Sequence, residues 1–166
     1  MAAQTQVYQI FSDKLFVLCL KYSRNYQDAE DTLQDSFLII FDKIKQYKNK
    51  GSFEGWLKRI TINTALQKYR QESPLELVKE VADTEEVEVL DLENPVFNIE
   101  VLIGFIQKLP DRYRLVFNLY AFDNYSHKEI AALLNISEGT SKSNLSRARK
   151  KLKTQLEIHQ QKRQKA

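Results

Sequence analysis

The stretch that decides the fold is SHKEIAALLNISEGTSKSNLSRARKKL, residues Ser126–Leu152. Ser126 and Glu129 have the spacing of a capping box, which starts a helix by satisfying its first backbone N–H groups. The apolar residues that follow recur at helical spacing and are Ile130, Leu133 and Leu134. The stretch therefore begins with a short amphipathic helix.

A tight turn and a basic second helix follow. Asn135 tolerates the left-handed backbone of a sharp turn, Ile136 can fill the angle between the helices, and Ser137 is the expected N-cap of the second helix. Two helices around such a turn are typical of a helix-turn-helix DNA-binding unit. The alternative is an amphipathic hairpin with a solvated charged face. The coincidence of caps, turn residues and donors favours the DNA-binding unit.

The second helix of this unit is rich in hydrogen-bond donors and cations. Short donors near its start suit phosphates and base edges, and the later cations suit the phosphate backbone. The residues expected to face duplex DNA are Thr140, Ser141, Lys142, Ser143, Asn144, Arg147, Arg149, Lys150 and Lys151.

Composition predicts an all-α protein. The chain has 166 residues, 43% of them hydrophobic, with four glycines and three prolines, and strand signals are scarce. Its one cysteine, Cys19, lies in an apolar run and is expected to be a core residue. No N-terminal signal and no apolar run of roughly 18 residues is present, so we expect a cytoplasmic protein that does not insert into membranes.

Motifs for an enzyme are missing from the sequence. There is no phosphate-cradling glycine loop and no HExxH, and no constellation of metal ligands stands out. His127 and His159 are isolated along the chain, and His127 is expected to be an exposed residue of a first helical turn. We therefore expect no catalytic activity, no cofactor and no bound metal.

Charge is distributed unevenly along the chain. Residues 1–70 carry 11 lysines and arginines against seven acids, and residues 126–166 carry ten against three. Between these basic ends, residues 71–100 carry one lysine against ten acids, which leaves a net charge of only +3 for the whole chain. Two basic modules separated by an acidic segment predict contacts with nucleic acid at both ends.

The first module, residues 1–70, reads as three helices near 7–25, 28–46 and 52–70, with Asp28 as the expected cap of the second. The predicted apolar face of that second helix is Leu33, Phe37, Ile40, Phe41 and Ile44. The loop Tyr47–Phe53 is basic, and the third helix interleaves cations with aromatics, a pattern that suits single-stranded nucleic acid. Trp56 taken alone is more often a core residue than a base-stacking platform.

The remaining chain divides into a linker, a second module and a tail. Residues 71–95 are acidic, are punctuated by prolines and are expected to be an extended linker. The second module, residues 96–157, should contain a helix to about residue 108, a helix over 111–122 that starts after Pro110, and the helix-turn-helix. The basic residues 158–166 are expected to fray.

Four segments in sequence resemble the bacterial RNA polymerase sigma factors of the extracytoplasmic-function (ECF) class, in the form common among Bacteroidetes. They are DAEDTLQDSF (28–37), GSFEGWLKRITINTA (51–65), LPDRYRLVFNLY (109–120) and YSHKEIAALLNISEGTSKSNLSRARKKL (125–152). The resemblance implies a sigma-2 domain, a bundle of three or four helices that docks on core RNA polymerase and opens the minus-ten promoter element. It also implies a sigma-4 helix-turn-helix domain that reads the minus-thirty-five element as duplex.

The resemblance also implies roles for individual residues. By their family positions, the residues expected to meet the clamp helices of the largest polymerase subunit are Asp31, Gln34 and Asp35; from sequence alone they read as a solvated helix face. The residues expected at the single-stranded minus-ten element are Lys48, Asn49, Lys50, Gly51, Ser52, Phe53, Trp56, Arg59 and Asn63. Within the recognition helix, the family positions favour Ser143, Asn144 and Arg147 as base or adjacent phosphate contacts.

Further partners follow from the family pattern. The sigma-4 domain is expected to meet the flap of the second-largest polymerase subunit, and family habit implies a membrane-bound anti-sigma factor, although no residue here encodes its surface. The acidic linker either occupies cationic channels of the polymerase as a nucleic-acid mimic or serves only as a soluble tether. Members usually carry more chain before the position of Tyr8, which implies a trimmed first helix.

The alternative function is a two-domain helix-turn-helix regulator whose first module dimerises or binds an effector.

Overall fold

The regular elements are all helices in the computed structural model, which describes residues 2–72 and 98–166. They form two units, one from the first three α-helices and one from the last four. The predicted all-α fold with two helical domains is thereby confirmed. The predicted linker lies outside the described residues except for Gln71 and Glu72, which end a helix.

The first unit consists of α1 (Ala2–Tyr22), α2 (Tyr26–Lys43), a 3₁₀ turn (Ile44–Gln46) and α3 (Phe53–Glu72). α1 already begins at Ala2, five residues before the predicted start. The predicted cap of α2 was wrong, because the side chain of Asn25, not that of Asp28, receives a backbone N–H at 2.9 Å. Asp28 supplies that N–H from the first turn, where its carboxylate also suits the positive end of the helix.

Each helix of the first unit packs against the other two around one core. Full burial of a large apolar side chain contributes roughly 1.5–3 kcal/mol, so this core supplies most of the stability of the unit. Its buried apolar residues are Leu15, Leu18, Cys19, Tyr22, Ala29, Phe37, Ile40, Leu57, Ile62, Ala65 and Leu66.

Small hydroxyl residues line the helix contacts of this core. Thr32, Ser36, Thr61 and Thr64 are buried, and each hydroxyl donates to the backbone carbonyl four residues earlier at 2.6–3.0 Å. These bonds pair all four of these hydroxyls, and the small side chains let the helices approach closely.

The buried stripe of α2 therefore differs from the predicted apolar face. It consists of Ala29, Thr32, Ser36, Phe37 and Ile40. The predicted residues Leu33, Phe41 and Ile44 are only half-buried, because the smaller residues occupy the line of closest approach.

The second unit consists of α4 (Ile99–Gln107), α5 (Asp111–Ala121), α6 (His127–Leu134) and α7 (Glu138–Lys165). The predicted frayed tail over 158–166 was wrong, because α7 continues through it to Lys165. Lysine, glutamine and arginine are good helix formers. The ring of His159 in this segment also packs against the ring of Phe105 of α4, with ring centroids 5.8 Å apart.

A buried arginine joins α4 to α5. Arg114 is 3% exposed, donates to the carbonyl of Leu109 at 3.0 Å and to that of Gln107 at 3.3 Å, and pairs with the carboxylate of Asp111. The guanidinium thus caps the end of α4 and holds the first turn of α5 against it. This contact fixes the frame on which the helix-turn-helix is built.

Candidate nucleic-acid interfaces

The turn between α6 and α7 has the predicted geometry. Ser126 and Glu129 exchange the two bonds of a capping box, at 3.1 Å and 2.7 Å. The backbone N–H of Ser126, with a smaller contribution from its side chain, stabilises the carboxylate and lowers the pKa of Glu129 below its usual value. Asn135 is left-handed, with φ 54° and ψ 49°, and the Ser137 hydroxyl receives the backbone N–H of Thr140 at 3.0 Å. The second unit is therefore a helix-turn-helix, with α7 in the place of the recognition helix.

Only part of the predicted duplex-facing set lies at the surface of the second unit. Lys142, Lys150 and Lys151 are exposed, whereas Thr140, Arg147 and Arg149 are half-buried. The accessible members are thus mainly cations, which suit phosphate contacts.

Three predicted base or phosphate readers are buried instead. Ser141 is 0% exposed, Asn144 is 1% exposed, and Ser143 is 7% exposed. Their prediction as direct DNA contacts conflicts with this packing, because Ser141, Asn144 and Ala148 share one side of α7 at helical spacing and that side is buried. The Ser143 hydroxyl donates within the helix, to the carbonyl of Gly139 at 3.1 Å.

The loop between α2 and α3 is exposed and rests on four aromatic rings. Lys48, Asn49, Lys50, Gly51 and Ser52 are all exposed. Four rings next to the loop have centroids 5.2–5.8 Å apart in the pairs Phe11–Phe53, Tyr47–Phe53, Tyr47–Trp56 and Phe53–Trp56, and we call them the aromatic base.

Two further features fix the shape of this loop. Asn49 and Gly51 have φ of 55° and 81°, a backbone region that Asn and Gly adopt at least cost. The hydroxyl of Tyr47 donates to the carbonyl of Gly51 at 2.8 Å, and Ser52 caps α3 by receiving the N–H of Gly55 at 2.9 Å. These two bonds therefore stabilise the observed conformation of the loop.

A polar stripe on α3 continues from this loop. Trp56, Arg59 and Asn63 are spaced by three and four residues, which places them on one helical face. Arg59 and Asn63 are exposed, and Trp56 is half-buried in the aromatic base. The loop and this stripe together form one surface with cations, ring edges and a side-chain amide, the groups that bind single-stranded nucleic acid.

The predicted polymerase-facing residues lie on the exposed side of α2. Asp31, Gln34 and Asp35 are all exposed. The carboxylate of Asp31 receives the side-chain amide of Gln27 at 3.3 Å and lies 4.0 Å from the ammonium of Lys68 on α3. Asp35 makes no ion pair with the described part of the chain, so its carboxylate is available to an external cation.

Sequence reasoning missed the environment of His127. It lies in the first turn of α6, as predicted, but it is not exposed, because its ring is half-buried and its Nδ1 lies 2.8 Å from the Ser141 hydroxyl. The two residues are 14 positions apart and lie on different helices, so no local pattern could reveal the contact.

Other reactive groups are structural in the described chain. Cys19 is 0% exposed, and burial, opposed by the nearby Lys68 ammonium, raises the pKa of its thiol to about 12, as expected for a core residue. Within residues 2–72 and 98–166 no three histidine, cysteine or acidic side chains gather as metal ligands. None of the helices described here combines the length and apolar content required to cross a membrane.

A helix-turn-helix unit together with a second helical unit, as in residues 2–72 and 98–166, is typical of DNA-binding transcription proteins. Two family models identify the class of transcription protein more closely. Sigma-70 region 2 matches residues 7–74, and Sigma-70 region 4 matches residues 99–152. The chain belongs to the ECF RNA polymerase sigma factors, since a member of that class is 32% identical to it over 93% of its length. It therefore directs RNA polymerase to promoters and initiates transcription. The alternative, a helix-turn-helix regulator whose first module dimerises or binds an effector, is set aside.

Individual relatives support this assignment. The ECF RNA polymerase sigma factor SigW of Bacillus subtilis is 32% identical over 93% of this chain and 89% of its own length. SigM of the same species is 29% identical, over 89% of this chain and 91% of its own. The sigma factor RpoE of Bartonella quintana, solved in complex with the anti-sigma factor NepR, has the same fold, with a TM-score of 0.55. It is 22% identical to this chain, and the match covers 95% of this chain and 99% of RpoE.

Proposed function

We propose that the first unit of this sigma factor opens the minus-ten element with the loop and stripe of α3, and that α7 of the second unit contacts the minus-thirty-five duplex. The observation that carries the proposal is the exposed loop Lys48–Ser52 beside the aromatic base, with Arg59 and Asn63 exposed on the same face of α3 as Trp56. A preformed pocket loses little entropy when it captures an unstacked base.

Docking on core RNA polymerase is assigned to the exposed side of α2. Asp31 and Asp35 lie four residues apart, so both carboxylates can meet arginines of a partner helix in charge-assisted pairs. The chain itself supplies binding and positioning in this scheme, and no catalytic step is assigned to it.

The contribution of α7 to promoter binding is assigned mainly to its cations. Lys142 and Arg147 stand closest to the start of the helix, and Lys150 and Lys151 are exposed further along it. The burial of Ser141 and Asn144 supports phosphate contact and shape recognition more than a dense set of base contacts.

An anti-sigma factor is a proposed regulatory partner, and a cytoplasmic site of action is proposed with it. The sigma factor RpoE of Bartonella quintana was solved with the anti-sigma factor NepR, and CnrH, which matches this chain at a TM-score of 0.50, was solved with the cytosolic domain of CnrY. Their likeness to this chain supports a shared fold on which such a partner can dock.

Asn63→Ala tests the minus-ten assignment. Core RNA polymerase with the variant should form fewer open complexes in run-off transcription from a promoter library, because the pocket loses its base-edge reader. The expected cost is about 1–3 kcal/mol at one promoter position. Permanganate footprinting would locate the loss at the melted bases.

The matched control is Gln67→Ala, which removes an exposed amide one turn further along α3. Gln67→Ala should initiate like the original chain. Unchanged melting in Asn63→Ala, or equal losses in both variants, would show that the stripe does not read a flipped base.

A further inference from the structure

Three helices of the second unit meet at the ring of His127. The imidazole stacks on Tyr120 of α5, with ring centroids 4.6 Å apart and planes at 20°. Its Nδ1 lies 2.8 Å from the hydroxyl of Ser141 on α7, and His127 itself is the first residue of α6. The contact therefore connects α5 to both helices of the helix-turn-helix, α6 and α7.

A second residue of α7, Arg149, joins the cluster formed by His127, Tyr120 and Ser141. The Arg149 guanidinium lies 5.7 Å from the centroid of the Tyr120 ring, a cation–π distance. Ser141 and Arg149 are eight residues apart, so the cluster holds α7 at two points separated by about two helical turns. Two points of attachment along one helix fix both its rotation and its tilt.

We propose that His127 is a positioning residue for promoter reading, which fixes the rotation of α7 by bonding Ser141 while its ring stacks on Tyr120. This inference rests on the proposed role of α7 at the minus-thirty-five duplex. A rotation of α7 would move Lys142 and Arg147 together relative to the groove. Positioning therefore affects discrimination between sequences more than general attraction to phosphate.

The charges around the ring favour the neutral imidazole. Burial first, and then the cations of Lys142 and Arg149, lower the pKa of His127 below its ordinary value of 6.5, while Glu138 acts in the opposite direction. The neutral form therefore predominates above pH 6.5, and as the pH falls through the lower folded-state pKa the ring gains a positive charge beside Lys142 and Arg149, which repel it. The chain's discrimination between sequences should fall over the same acidic range.

The test uses the full chain with core RNA polymerase and measures the affinity ratio between a selected and a scrambled promoter duplex. The selected duplex is the one enriched from a random library by the unmodified holoenzyme. His127→Phe keeps a stacking ring but removes the nitrogen, and Ser141→Ala removes the same bond from the other side. Each variant should lower the ratio about 3- to 10-fold, which corresponds to the net contribution of one neutral hydrogen bond. The salt dependence of DNA affinity should stay unchanged.

Three comparisons separate positioning from a general structural role. The double variant should lose no more than either single variant, because both remove the same bond. His127→Asn, which retains a polar group near the position of Nδ1, should recover part of the ratio and remove its decline at acidic pH. His159→Gln changes the other histidine of the chain, at the far end of α7, and should behave like the original protein.

The outcomes distinguish this inference from the proposed function. Arg147→Ala is the reference for α7 at the duplex. If Arg147→Ala lowers the ratio while His127→Phe and Ser141→Ala leave it unchanged, only the positioning role is wrong. If all three leave it unchanged, the assignment of α7 to promoter reading is wrong as well. Additive losses in the double variant would also overturn the positioning role.

Discussion

Single residues set the frame of the second unit, and Arg114 shows how. Its guanidinium is almost fully buried, yet it satisfies two backbone carbonyls at the end of α4 and one carboxylate in α5. Removing one partner of a buried ion pair leaves the other charge without compensation, which is far more costly than losing an exposed charge.

Arg114→Ala should therefore lower the free energy of unfolding by about 3–5 kcal/mol. Urea titration followed by circular dichroism at 222 nm, a wavelength that reports helix content, measures the change. Lys151→Ala removes an exposed cation of the same unit and should change stability by no more than about 0.5 kcal/mol. Equal midpoints for the two variants would refute a structural role for the buried arginine.

Residues that act locally could be predicted from the sequence, and those that act across helices could not. The capping box at Ser126, the left-handed Asn135 and the cap at Ser137 all depend on neighbours within a few positions. The cap of α2 was misplaced by three residues, because Asn25 and Asp28 are both suitable for a helix start. The bond from His127 to Ser141 depends on how α6 and α7 pack, so it was missed.

At the scale of elements, the exposed side of α2 can be tested for docking on core RNA polymerase. The structure shows which of its two aspartates is the better one to reverse. The carboxylate of Asp31 lies 4.0 Å from the ammonium of Lys68, so Asp31→Lys would place two cations together. A loss of folding stability in that variant could then be mistaken for a loss of polymerase binding. Asp35→Lys avoids this problem, since the new ammonium can pair with Asp31 one turn earlier on α2.

Asp35→Lys should keep the helix content and melting temperature of the chain but weaken its binding to core RNA polymerase by several kcal/mol, because it places like charges together. Size-exclusion chromatography would show loss of co-elution. Asp13→Lys reverses an exposed acid of α1 and should co-elute normally. Normal co-elution of Asp35→Lys would show that this face of α2 is only solvated.

Element boundaries were predicted where periodicity and caps agree, and missed where composition was ambiguous. The basic end of α7 lacks apolar periodicity, so it was expected to fray, yet its residues favour helix and His159 contacts α4. The buried face of α7 was also misjudged. Ser141, Ser143 and Asn144 look like DNA contacts by type, and only the packing shows which side of the helix they occupy.

At the scale of the whole molecule, charge and exposed area together limit binding by the chain alone. The net charge is only +3, because the acidic residues 71–100 offset the basic ends. The burial of three predicted DNA contacts reduces the surface that α7 can offer, and single DNA-reading modules already form small interfaces.

The isolated protein should therefore bind duplex promoter DNA weakly and with little sequence preference, and specific binding should require core RNA polymerase. Fluorescence anisotropy with promoter and scrambled duplexes, with and without core, measures both states over a range of salt concentrations. A nanomolar Kd for the promoter duplex, with clear rejection of the scrambled one, by the protein alone would contradict this expectation.

The burial of Cys19 makes this chain a convenient starting point for fluorescence labelling. It is the one cysteine in the sequence, and its inaccessible, protonated thiol does not react readily with maleimides at neutral pH. A cysteine placed on the surface, for example at Gln67, would therefore take up dye without first removing the natural thiol. A pair of such sites, one in each helical unit, would let energy transfer follow the distance between the units as the polymerase binds and leaves.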